Sequence, residues 1–208
     1  MNYPVIILGA GGHAKALIDI LLMNNTKIIG ITVSKESMRD SNLYDIPIIG
    51  YDEKILDFSS DSILLINGIG TTRSELRRKI VFEHFMGLGY QFGSVIHPSS
   101  IISKMAKLSK GVQVMAGSVI QIGSSIGSNT IINTKASVDH DCKIGNHVHI
   151  APGVTLSGGV VIGENSHIGT GATVIQNIKI GENATIAAGS VVIRNIPNNK
   201  TVKGVPAK

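Results

Sequence analysis

The chain has no tryptophan, one cysteine, and only four tyrosines and four phenylalanines among 208 residues. A single cysteine rules out a disulfide framework and a cysteine-rich zinc site, and the expected setting is the reduced cytoplasm. Charged residues are also scarce at 16%, but hydrophobic residues reach 43%, which suffices for a core and excludes intrinsic disorder. No apolar run approaches the roughly 20 residues of a membrane-spanning helix, and none has the layout of a secretory signal. Nineteen basic groups against fourteen acidic ones leave a net charge of +5, suited to an anionic ligand. The basic residues are scattered, with no run beside aromatics, which argues against nucleic acid.

The aromatic deficit is uneven. All eight aromatics (Tyr3, Tyr44, Tyr51, Phe58, Phe82, Phe85, Tyr90, Phe92) lie in the first 92 residues, and the remaining 116 contain none. Aromatic rings are the usual large core fillers, so the second part must enclose a core too narrow for them. The length allows two small domains. Pro98 and the serines of Val95-Ile96-His97-Pro98-Ser99 interrupt the patterns on either side. The expected domains are residues 1–95 and 96–208.

In the first, Val5 to Leu8 is a short apolar run that leads into Gly9-Ala10-Gly11-Gly12. Apolar residues then recur with helical spacing at Ala14, Leu17, Ile18, Leu21 and Leu22. Lys27 to Val33 and Ser62 to Asn67 read as further strands. Thr72-Arg73-Ser74-Glu75 has the form of a capping box opening a helix that runs to about Gly87. Strand, glycine turn and helix in alternation predict a small Rossmann-like α/β sheet with its ligand at the carboxyl ends of the strands. The glycine loop sets bare N–H groups at a helix N-terminus, where a pyrophosphate fits. The plainer use of such glycines is tight strand-to-helix packing. About 95 residues leave no second βαβ half to hold nicotinamide, which argues against a dehydrogenase.

The second part is a repeat. Every sixth residue from Ile102 to Val192 is aliphatic, and the positions four residues later, Ala106 to Ser190, are small or narrow. Ile-Gly recurs at 126, 144, 162 and 180, always 18 apart, and Gly117, Gly153, Gly171 and Gly189 form a glycine column in which Lys135 fills the missing place. Six within eighteen means one flat face and its turn per hexad, and three hexads per triangular coil. Coils stacked at about 4.8 Å turn each aliphatic column into a ladder inside a thin prism. The 91 residues from 102 to 192 make about five coils of a parallel β-helix.

One coil concentrates chemistry. In Val138-Asp139-His140-Asp141-Cys142 the outer two positions face inward, so the three between face out. A carboxylate beside an exposed imidazole fixes its tautomer and raises the basicity of the other nitrogen, as a general base requires. The plainer use is a surface turn contact. Cys142 falls at an inward position, where a thiol is a compact hydrophobe rather than an acyl carrier. His149 and His167 stack on successive coils with His147 nearby, a spacing at which neutral imidazoles can bind metal.

These motifs together resemble a known family. Ile7-Leu8-Gly9-Ala10-Gly11-Gly12-His13-Ala14-Lys15, Asn67-Gly68-Ile69-Gly70 and Ile96-His97-Pro98-Ser99 are similar to segments of the sialic acid O-acetyltransferase and bacillosamine N-acetyltransferase group of hexapeptide-repeat acyltransferases. So are Asn133 to Asp141, His149-Ile150-Ala151-Pro152-Gly153 and the closing Gly204-Val205-Pro206-Ala207-Lys208. The resemblance implies a left-handed β-helix, against the general right-handed preference, and a homotrimer that moves an acetyl group from acetyl-CoA to a sugar. By this resemblance His140 is the general base and Asp141 its partner. His149, Gly158, Thr170 and Ala188 meet acetyl-CoA, and Gly11, Gly12, His13, Gly70 and Arg73 meet a nucleotide-linked sugar. The implied reaction is N-acetylation of a nucleotide-linked amino-deoxy sugar in the cytoplasm, for surface glycans such as lipopolysaccharide O-antigen.

One departure stands out. Relatives often carry acidic residues after the second strand, toward the nucleoside, whereas this chain has Thr32-Val33-Ser34 with Glu36 the nearest carboxylate. The alternatives are O-acetylation of a sialic-acid-like sugar, a trimeric histidine-metal hydratase of the β-helix class, and a non-catalytic sugar-nucleotide binding protein.

Overall fold

The computed structural model describes residues 3–34, 42–71 and 75–208. The chain forms two compact units, Met1–Val95 and Ile96–Lys208.

In the first unit β1 (Val5–Leu8) is wholly buried and runs through a glycine turn into α1 (Gly12–Met23). The helix turns Ala14, Leu17, Ile18 and Leu21 inward, the stripe its spacing predicts. Next come β2 (Ile28–Val33), β3 (Asn42–Leu43), β4 (Ile46–Tyr51), a short 3-10 segment Asp52–Asp57, β5 (Leu64–Asn67) and α2 (Glu75–Gly87). The sheet order is β3-β4-β2-β1-β5, parallel except for the β3–β4 hairpin. Tyr44 and Asp45 in that hairpin both have positive φ (52° and 62°), the twist that suits a two-residue turn. The sequence reading missed β3 and β4 because Pro47 and Gly50 interrupt the apolar run. The capping box expected at Thr72-Arg73-Ser74 lies outside the described residues.

Large rings fill the space under this sheet: Phe82, Phe85, Tyr90 and Phe92 pack with Ile6, Leu8 and Leu65. Phe82 and Phe92 meet at 4.4 Å between centroids, and Phe85 meets Tyr90 edge-on at 5.8 Å. One glycine is required by close approach: a Cβ at Gly68 would lie 2.8 Å from the Leu8 carbonyl and 2.9 Å from the Ala14 Cβ.

The second unit is a parallel β-helix. Two-residue strands pair in register with strands 18 residues away, as Val119 and Ile120 do with Ser137 and Val138. They build three flat faces. Face one runs from Ile101–Ile102 to Val191–Val192, face two from Lys107–Leu108 to Lys179–Ile180, and face three from Val95–Ile96, at the unit boundary, to Thr201–Val202. The aliphatic column is buried from Val114 to Val192 and half-buried at Ile102 and Leu108 in the end coil. The last coil breaks the period: Ile180 bridges Ile196 and Thr185 pairs with Thr201, each 16 residues on.

Every sixth residue from Gly111 to Gly189 has positive φ, because each corner needs one left-handed residue. Glycine fills half of these places, and Asn, Asp, His and Lys fill the rest. Inward hydroxyls stitch the coils together. Thr130 Oγ1 donates to the Gly145 carbonyl at 2.9 Å and accepts the Val148 N–H at 3.1 Å, and Ser166 does the same for Gly181 and Ala184.

Candidate active site

His140 and Asp141 are the central residues of the turn that joins faces one and two. Asp139 Oδ1 accepts the backbone N–H of His140 at 2.8 Å, so this carboxylate braces the turn. Asp141 takes the left-handed place (φ 60°), and its Oδ2 lies 2.8 Å from His140 Nδ1. A carboxylate accepting there keeps the proton on Nδ1 and leaves the Nε2 lone pair available. That hydrogen bond holds the His140 pKa above the ordinary imidazole value, with the charges of Asp139 and Asp141 adding to it. The imidazole side chain is 57% exposed.

Below the turn, Ser124 Oγ donates to the Asp139 carbonyl at 2.7 Å and accepts the Cys142 N–H at 3.1 Å. One buried hydroxyl thus pins both ends of the segment that carries the imidazole. The inward small-residue column was the only signal for it in the sequence. Cys142 is buried, and burial pushes its thiol pKa up, so it holds structure rather than an acyl group.

The other expected residues fall elsewhere on the prism. Gly158 stands one coil after His140 at the same corner, and a Cβ there would lie 2.5 Å from the imidazole Cε1 and Nε2. His149 is on face three, opposite that corner. It is buried, and its Nε2 accepts from the Asn133 side-chain N–H at 3.0 Å, which leaves the ring proton on Nδ1. The His167 ring meets it edge-on at 4.8 Å. Thr170 and Ala188 are exposed, one coil apart, at the corner between faces three and one. Among the described residues no three His, Cys, Asp or Glu gather as a metal-holding group.

In the first unit Gly11 and Gly70 line a cavity of about 280 Å³, with Gly9, Gly68, Ser34 and Arg77. Gly12 and His13 follow directly on α1 without lining it. At Gly11 and Gly12 nothing lies within 4 Å of where a Cβ would be, so the chain itself does not demand glycine there. Arg73 lies outside the described residues. Arg77, four residues further along the sequence, lines the cavity. Buried Arg78 holds the loop after β5, donating to the carbonyls of Asn67 (2.7 Å) and Ile69 (2.8 Å).

A second cavity of about 600 Å³ shares Val33, Ser34 and Arg77 with the first and extends to Asp52, Glu53 and His84. Thr32 Oγ1 donates to Asp52 Oδ1 at 2.8 Å. A carboxylate therefore stands at the end of β2 although none follows that strand closely in sequence. It arrives from the end of β4, a strand that Pro47 and Gly50 disguise in the sequence. Glu36 lies outside the described residues.

The PglD N-terminal domain family matches residues 4–83, and the bacterial transferase hexapeptide family (six repeats) matches residues 123–158 and 159–194. Over its whole length the chain is similar to the acetyltransferase domain of PglB from Neisseria gonorrhoeae FA1090, solved in complex with acetyl coenzyme A. The two are 34% identical, with 100% of this chain and 99% of that one covered and a TM-score of 0.92. The chain belongs to the hexapeptide-repeat sugar acyltransferases. PerB from Caulobacter crescentus, in complex with CoA and GDP-perosamine, is 35% identical over 100% of this chain and 97% of its own, with a TM-score of 0.91. A 61-residue stretch is 33% identical to 2,3,4,5-tetrahydropyridine-2,6-dicarboxylate N-succinyltransferase of Paramagnetospirillum magneticum. It amounts to 29% of this chain and 21% of that enzyme, so the match spans about a fifth of that relative. As a member of its family the chain is an acyltransferase, and its β-helix is left-handed.

Proposed function

We propose that the protein is an acetyl-CoA-dependent N-acetyltransferase acting on the amino group of a nucleotide-linked amino-deoxy sugar, with His140 as general base. The observation that carries this reading is the exposed His140–Asp141 pair with its free Nε2. Further support comes from the PglB domain, solved with acetyl coenzyme A, and from PerB, solved with CoA and GDP-perosamine.

His140 Nε2 takes the proton of the amine as the new N–C bond forms, and returns it to the sulfur as the C–S bond breaks. Acetyl-CoA supplies the acetyl thioester. An extended thiol arm suits the corner between faces three and one. There Gly153, Gly171 and Gly189 leave the space of a Cβ empty on three successive coils, beside Thr170 and Ala188.

His140 and His149 lie on opposite sides of one prism, so they can share a reaction only across chains. That geometry favours a homotrimer in which one protomer offers the base and its neighbour holds the thioester. In the first unit the N–H groups of the glycine loop, with Gly11, Gly12, His13, Gly70 and Arg73, take the diphosphate and sugar. The adjoining larger cavity takes the nucleoside. The product would serve surface glycan synthesis in the cytoplasm.

The test is a screen of UDP-, dTDP- and GDP-linked 4-amino sugars against free sialic acids, with CoA release as readout. Release with a nucleotide amino sugar is expected. Release with free sialic acids alone would overturn the acceptor, and no release with any acceptor would overturn the reaction.

A further inference from the structure

We propose that Gly123 is a positioning residue for the His140–Asp141 pair: lacking a side chain, it leaves the Asp141 carboxylate free to hold the imidazole. The inference rests on the base assignment above and adds what keeps that base in order.

The left-handed residues of this corner form a column, one per coil: Gly123, Asp141, Gly159, Asn177. Each side chain in it leans back over the preceding member. Asn177 Oδ1 lies 2.5 Å from where a Cβ of Gly159 would be. Asp141 Oδ1 occupies the place a Cβ of Gly123 would need. The backbone does not require glycine at 123. Its φ of 75° is close to that of Asp141 (60°) and Asn177 (61°) in the same column, and Asn129, Asn165 and Asn183 hold the same conformation at the next corner. What requires glycine is the carboxylate.

The next corner shows what a filled column does. Asn129 donates its side-chain N–H to His147 Nδ1 at 3.0 Å, and Asn165 donates to Asn183 Oδ1 at 2.7 Å. An asparagine at 123 would press on Asp141 and offer its own amide to the carboxylate, drawing it off His140. Gly158 completes the arrangement on the following coil, where only the absence of a Cβ leaves room for the ring. The ionisable groups facing His140 are Asp139 and Asp141 on its own turn. The flanking turns bring Ile122-Gly123 and Gly158-Gly159, none of them ionisable, among the described residues. Asp141 is therefore the hydrogen-bonded partner whose loss would be felt.

The experiment is an NMR pH titration of the His140 ring in the full chain, for wild type, Gly123→Asn, Asp141→Asn and the double variant. Turnover with acetyl-CoA is measured beside it. Gly123→Asn is expected to drop the His140 pKa toward the ordinary imidazole value, as Asp141→Asn does. It should lower kcat about tenfold, a fraction of what a general base supplies, and leave the KM for acetyl-CoA alone. In the Asp141→Asn background it should change nothing more, the mark of one shared pathway. Gly123→Ala carries the same Cβ without the amide. Alanine is more strained than asparagine at φ 75°, but the titration reads only folded molecules. The same drop in the His140 pKa there supports displacement by the Cβ, and a wild-type titration in both variants overturns it. Losses that add to those of Asp141→Asn would also overturn the inference. Full activity in His140→Asn would instead remove the base assignment beneath it.

Discussion

His140 and His147 sit seven residues apart at successive corners of one prism, each with a hydrogen-bonded neighbour on Nδ1. At 147 the histidine itself takes the left-handed place (φ 57°), and its Nδ1 accepts from an asparagine one coil earlier. At 140 the histidine precedes the left-handed residue, and its Nδ1 donates to the carboxylate of that residue. The first arrangement consumes a lone pair to tie two coils together. The second spends a proton and keeps a lone pair for solvent or substrate. The lesson is that one side chain becomes mortar or base according to its place in the turn and what the previous coil presents.

The strongest way to break this comparison is to replace both histidines by asparagine. His140→Asn should lower kcat by roughly 10²–10⁴, while His147→Asn should keep kcat near wild type in the same steady-state assay. Equal losses would mean that the chemistry is not confined to one corner. Gly12→Val extends the contrast beyond the β-helix. Because a Cβ there meets nothing within 4 Å, the variant should fold normally. It should raise the acceptor KM about tenfold, or about 1.4 kcal/mol, with kcat and the KM for acetyl-CoA retained.

Asn165→Ala probes the stitched corner alone. It loses the bond to Asn183 and puts alanine at φ 58°, which should cost about 1–2 kcal/mol in thermal unfolding with kcat unchanged. The pH profile gives a smaller effect with a definite sign. The base works deprotonated, and the hydrogen bond from Asp141 raises its pKa, so kcat should climb with pH through a midpoint above that of a free imidazole. In Asp141→Asn that rising limb should move to lower pH.

The two units also differ in how much of them could be read in advance. In the β-helix each residue's environment repeats every 18 positions, so the columns from Val114 to Val192 could be assigned inward from spacing alone. The first unit has no such redundancy. Its hairpin and fourth strand are disguised by Pro47 and Gly50, and Asp52 reaches Thr32 only because β4 lies beside β2 in the sheet. At the reactive corner, His140 and Asp141 could be picked from their flanking inward positions. Ser124 and Gly123, 16 and 18 residues earlier, could not, because one is an ordinary member of the small-residue column and the other an ordinary turn glycine.

Periodicity in the sequence was enough to determine the prism, its three faces and which residues point out of it, since a period of six within eighteen admits few other ways to bury an aliphatic column. It also placed the imidazole beside two carboxylates. The division of labour between those carboxylates, with Asp139 bracing the backbone and Asp141 holding the ring, was decided only by the stacked coils. It depends on which space the coil before leaves empty, and that is a relation between residues 18 apart that no local stretch of sequence contains.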